Sequence, residues 1–161
     1  MASTQLLVVK DKVQRYAKQF FNVINIDDDG DLRINYESTH VILQVLELDS
    51  SDPDLVEYRK DNDISITVVN IFALVLFEAD TSNELFKWIA TEGQAYDYGA
   101  FRVFIDPDNP KKCNVQYQYR IAGDNLDPGE LKGALAAVAF TADNEDDELQ
   151  KRFGGKKWSD I

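Results

Sequence analysis

Cys113-Asn114-Val115-Gln116-Tyr117-Gln118-Tyr119-Arg120-Ile121 alternates apolar and polar side chains without a break. A period of two places one set in a core and the other outside, which is the pattern of a half-buried strand. Phe101, Val103 and Ile105 repeat it just upstream, and Asp106-Pro107-Asp108-Asn109-Pro110 stands between the two runs as turn chemistry. Residues 101–121 therefore read as a β-hairpin, and the rest of the chain supplies partners for its apolar face.

Upstream of the hairpin, Thr81 and Glu84 have capping-box spacing, Leu85, Trp88 and Ile89 point one way, and Gly93 provides a stop. Ile64–Phe77 before that helix is rich in Val, Ile and Phe and apolar on both faces beyond Val68. It reads as a central strand with a bulge at Val68–Val69, with a buried helix as the competing assignment. Asp49–Asp63 is acidic, contains Pro53 and reads as a loop or an irregular lead-in. His40–Leu48 and Leu32–Tyr36 alternate as strands. Ser3 and Thr4 can cap a helix running to about Ile24, with Val9, Val13, Tyr16, Ala17, Phe20 and Ile24 as its apolar stripe. Downstream, Asp127-Pro128 opens the last helix as N-cap and first-turn proline, with Glu130 in the first turn. Leu131, Leu135, Val138 and Ala142 face the sheet, and Gly133, Ala134, Ala136, Ala137 and Ala139 keep the helix thin enough for close packing.

The fold class is α+β: a helix, a three-strand antiparallel meander, a helix, a β-hairpin and a helix. The expected sheet has five strands with the first and last helices on it. Val13, Phe20, Leu43, Val45, Phe101, Val103, Val115, Tyr117, Leu131 and Leu135 are the inward set. Residues 1–155 form a single domain, and 156–161 are expected as a flexible tail that Trp158 could anchor.

Net charge is −12 over 161 residues, and the single Cys113 leaves no intramolecular disulfide. Residues 1–26 carry +3, 27–63 carry −9, and the remaining two stretches, 64–126 and 127–161, carry −3 each. So negative a field repels nucleic-acid phosphates and anionic membranes. The apolar run Leu6–Val9 is too short for a signal peptide and no run spans a bilayer, so the expectation is a cytoplasmic protein.

Catalytic chemistry is not legible. Asn25, Asp27, Asp29 and Gly30 imitate a calcium loop, but the twelfth position is Tyr36 where a bidentate Glu is required, so no metal is expected. Gly154-Gly155-Lys156-Lys157 lacks the spacing of a phosphate loop. His40 reads as a partly exposed polar residue and Cys113 as a buried thiol with little reason for a lowered pKa. The expected protein is neither an enzyme nor the carrier of a cofactor.

Three motifs carry a resemblance. They are Asp29-Gly30-Asp31-Leu32 after a long helix, Thr81…Leu85…Trp88-Ile89, and the closing Leu126-Asp127-Pro128…Leu131…Ala142-Asp143…Asp147-Glu148-Leu149…Arg152-Phe153-Gly154-Gly155. Over about residues 5–155 the chain resembles the YbjN-like group of the type III secretion chaperone-like fold. The closing pattern is similar to the actinobacterial branch with peptide-binding chaperone domains. The resemblance implies a non-enzymatic chaperone or adaptor, usually a homodimer, that holds a protein or extended peptide client in apolar grooves. An acidic regulator, or an inhibitor or immunity-type protein for a basic partner, is the alternative, and high salt separates the two. Phe104 with Arg102, facing Gln116 and Gln118 across the hairpin, and Phe86 on the middle helix are the candidate interface residues.

Overall fold

Cys113, Val115 and Tyr117 are buried, as their alternation predicts, and Phe101 beside them is fully enclosed. The structure is a computed structural model that describes residues 3–21, 24–48 and 51–161. Around the hairpin lies one antiparallel sheet of six strands in the order β1-β2-β3-β4-β6-β5. The strands are β1 (Ile24–Ile26), β2 (Leu32–Tyr36), β3 (Thr39–Glu47), β4 (Thr67–Asp80), β5 (Ala100–Ile105) and β6 (Lys112–Ala122). The α+β class and the order of the long elements are as expected.

Helices α1 (Thr4–Phe20) and α4 (Pro128–Phe153) pack on the inner face of the sheet. Ser3 caps α1 by accepting from Leu6 N. Asp127 and Glu130 form a reciprocal capping box at α4, satisfying donors that a helix start leaves open. Val9, Val13 and Ala17 of α1 meet Leu131, Leu135 and Val138 of α4 in one core with Leu43, Ile71 and Val115. Of the expected inward set, Phe20 and Val103 are only half-buried. Helix α3 (Asn83–Ala90), capped by Ser82, closes one end through Leu85 and Trp88, whose ring meets Phe101 edge-on at 5.0 Å.

Several expectations are corrected. Helix α1 ends at Phe20, short of Ile24, and Ile24–Ile26 becomes a strand paired with Leu32–Ile34, so the sheet gains a sixth member. The residues between, 22 and 23, lie outside the described part of the chain. The acidic stretch contains a helix, α2 (Pro53–Asp61), started by Asp52, whose side chain accepts from Asp54 N and Leu55 N; residues 49 and 50 of that stretch are likewise not described. None of the side chains of α2 is buried. Strand β4 runs later than expected, and its register slips lie between Leu74 and Ala79 instead of at Val68–Val69.

The residues after Gly155 are tied down rather than frayed. Lys156 exchanges both backbone hydrogen bonds with Phe77, at 2.7 and 2.8 Å, on the edge of β4 beyond the start of β3. Lys157 Nζ reaches Asp147 at 2.6 Å, and the Trp158 ring stacks on His40 at 4.1 Å. His40 itself is buried, a correction to its expected exposure. Asn35 Oδ1 accepts from its Nδ1 at 2.6 Å, and its Nε2 has no partner among the described residues.

Candidate functional site

Both long helices are spent on the inner face, which leaves the outer face of the sheet to itself. Its side chains follow from the strand registers. Ile42 faces Phe72, which faces Gln118 on β6; Leu46 faces Val68. Between those two apolar rows runs a polar ladder. Gln118 and Arg120 both donate to Asn70 Oδ1, Asn70 donates to Gln44 at 3.3 Å, and Gln44 donates to Asp31 at 2.6 Å. A ladder whose members satisfy one another can sit on a sheet face without desolvation cost, and it fixes the lateral order of the strands. Ile42, Val68, Phe72 and Leu74 remain half-buried and Leu46 exposed, so apolar surface flanks the ladder on both sides.

The face ends at β5, which among the described residues pairs with β6 alone. Asp106 N donates to Lys112 O at 2.9 Å, and in an antiparallel ladder the bonded pairs then recur every second residue. Ala100, Arg102 and Phe104 thus turn their backbone groups to Gln118, Gln116 and Asn114. Phe101, Val103 and Ile105 turn theirs outward. Gln94 Nε2 donates to Phe101 O at 3.1 Å and caps that one carbonyl, while Val103 and Ile105 present an open edge. A cleft of about 400 Å³ lies along it, lined by Ile89, Gln94, Phe101, Arg102, Val103 and Phe104. Unpaired strand edges accept further strands.

The candidate interface residues divide accordingly. Arg102 and Phe104 lie at the open edge, Phe104 46% exposed, and Gln116 is the cross-strand partner of Arg102. Phe86 is exposed on α3, next in the fold to β5. Gln118 is buried beneath them and held by Asn70, so it braces the surface without forming part of it. Ile105, on the same strand face as Phe101 and Val103, is 52% exposed at the end of the same edge. Sequence reasoning missed Ile42, Phe72 and Leu74. Their signal was present, since β4 is apolar on both faces, but such a strand reads as buried on both sides.

The calcium-like turn has its own local explanation. Asp27 accepts from Asp29 N, Asp31 N and the Arg33 guanidinium, the last at 2.9 Å. What burial it has raises its carboxyl, and these donors outweigh that and hold it below the usual carboxylate range. Burial raises the Cys113 thiol, the opposite of what a reactive thiolate needs.

The family model described as T3SS (YopN, CesT) and YbjN peptide-binding chaperone 1 matches residues 8–160. The chain belongs to this peptide-binding chaperone family. Among solved structures it is similar to a chain in the crystal structure of the ExsC–ExsE complex, with a TM-score of 0.53 and 13% identity over 92% of this chain and 97% of that one. At that identity the likeness speaks to the fold. No curated protein matches the sequence.

Proposed function

We propose that this family member is a non-enzymatic chaperone that binds an extended segment of a protein client and acts as a homodimer. The observation that carries the reading is the outer sheet face, apolar on either side of a self-satisfied polar ladder and ending in an open strand edge. An extended segment can lie along that face with alternate side chains on its apolar rows, which leaves the edge itself to a second copy. Nothing in that surface groups a nucleophile with a base, and its polar side chains are engaged with one another.

The β5 edge also favours a second copy. Two β5 strands paired antiparallel about Val103 set Arg102 opposite Phe104 of the second copy and Phe101 opposite its Ile105. That covers exposed aromatic and aliphatic surface and places a guanidinium beside a ring. Phe101–Ile105 carries one arginine and no acid, so two copies meet there without opposing carboxylates in a protein of net charge −12.

Light scattering from tens of nanomolar to tens of micromolar tests the dimer. Wild type should move to dimer mass and Phe104→Glu should stay a monomer. A wild type that remains at monomer mass at tens of micromolar overturns the dimer. For client binding, affinity capture from cells identifies the bound protein, and hydrogen exchange of the purified complex should add protection along the Ile42–Phe72 rows beyond that of the free dimer. A client that adds none there overturns the assignment of the surface.

A further inference from the structure

On the opposite side of the molecule from the outer face, two adjoining cavities follow α4. One, of about 410 Å³, is lined by Tyr96, Asp97, Tyr98, Tyr117, Gly133 and Phe140, among others. The second, of about 320 Å³, is lined by Tyr98, Tyr119, Ile121, Glu130 and Gly133, among others. Tyr98 and Gly133 belong to both and join them into one groove. Tyr98 and Phe140 stand 57% and 56% exposed at its margins.

Gly133 is the informative residue. It lies inside a 26-residue helix, where glycine is destabilising relative to alanine. Interior helical glycines are usually there because another part of the chain comes close. A Cβ at Gly133 would meet nothing within 4 Å. The close packing of α4 on the sheet is made by Ala134, Ala139 and Ala142 instead. Among the described residues the missing side chain therefore serves no packing contact, and its absence leaves the groove open.

The groove's charges have one sign. Asp97 and Glu130 line it, and the Glu145 carboxylate is near enough to Tyr96 for its charge to act on the hydroxyl. Burial, followed by the charge of Glu145, pushes the Tyr96 hydroxyl up to about 12, so the ring stays neutral. Among the described residues, no Lys or Arg lines either cavity. Aromatic faces beside carboxylates suit a cation. The floor also offers backbone partners. Gly123 N donates to Thr67 O at 2.9 Å, so by alternation Arg120 and Ala122 turn their N–H and C=O away from β4. β5 reaches back only to Ala100, opposite Gln118, and leaves that side of Arg120 and Ala122 without a strand.

We propose that this groove receives a basic, extended segment of the client, its lysine or arginine side chains against Tyr98 and Phe140 and its backbone along Arg120–Ala122. The proposal rests on the chaperone reading above and adds the chemistry of the client.

The probes are fluorescein-labelled octapeptides alternating valine with lysine, with glutamate or with serine, titrated into the full chain and followed by anisotropy. The lysine peptide should bind and the glutamate peptide should not. Gly133→Leu fills the groove at a position with free space and higher helix propensity, so its melting temperature should not fall. It should weaken the lysine peptide at least tenfold, and Gly133→Ala should weaken it less. Undiminished binding to Gly133→Leu would assign the attraction to the acidic surface at large and overturn the proposal. Equal binding of all three peptides would overturn its charge. If Phe104→Glu abolishes binding while Gly133→Leu leaves it intact, the groove assignment falls and the chaperone reading stands; if no peptide binds at all, both fall.

Discussion

Asp124 joins three parts of the fold, and its removal should be felt throughout. Its carboxylate accepts from Ile66 N at 2.9 Å, Thr67 N at 3.2 Å and Thr67 Oγ1 at 2.5 Å, fastening the start of β4 to the turn after β6. Its backbone carbonyl accepts from Lys12 of α1 at 2.7 Å. Thr67 is fully buried, so Asp124→Ala leaves two donors of one enclosed residue without a partner. An unsatisfied buried donor costs about 1–3 kcal/mol. Because Ile66 N sits nearer solvent, the loss should come to about 2–4 kcal/mol in total. For a domain of this size that is a fall in Tm on the order of 5–15 °C. Asp124→Asn keeps one acceptor oxygen and should lose roughly half as much. Burial alone would raise the Asp124 carboxyl, but the hydrogen bonds from Thr67 and Ile66 outweigh it and leave the pKa lowered from 3.8. A carboxylate depressed in the folded state contributes stability that is present above its unfolded pKa and is lost as pH falls through the folded one. Urea denaturation of wild type and Asp124→Asn, repeated from pH 6 down to pH 3, should therefore show a gap that narrows towards the acid end. A loss below about 0.5 kcal/mol for Asp124→Ala, or a gap independent of pH, would refute the clasp.

Leu135 is 1% exposed between α4 and the sheet, and Leu135→Ala should cost about 2–5 kcal/mol by denaturant titration; a near-neutral result would mean α4 is not seated as described. Burial lowers the His40 pKa, with the charge of Arg33 adding to it. Its contribution is complete above the unfolded value of 6.5 and fades as pH falls through the folded one. The stability difference between wild type and His40→Phe, which keeps a ring beneath Trp158, should accordingly shift in the variant's favour from pH 8 to pH 5. A difference that does not change over that range would place His40 in solvent.

The α+β class and the order of the long elements were decided by local periodicity, because period-two runs such as 113–121 and capped stripes such as 128–142 have one low-energy way to hide their apolar side. The N-caps at Ser3 and Asp127 are local in the same sense, since the side chain satisfies a donor three residues away. Arg102 and Phe104 could be found from alternation within the hairpin. Tertiary structure alone decided the rest. Nothing local marks Ile24–Ile26 as a strand, because three residues acquire that conformation only from the neighbour at Leu32–Ile34. His40 is buried because Trp158, more than a hundred positions away, folds over it. Phe72 and Leu74 look like core in the sequence and face outward because two long helices cover one side of a sheet and leave the other open. Gly133 reads as a packing residue until the three-dimensional arrangement leaves its space empty, since whether a small side chain makes a contact or a groove depends on what the rest of the chain brings near it.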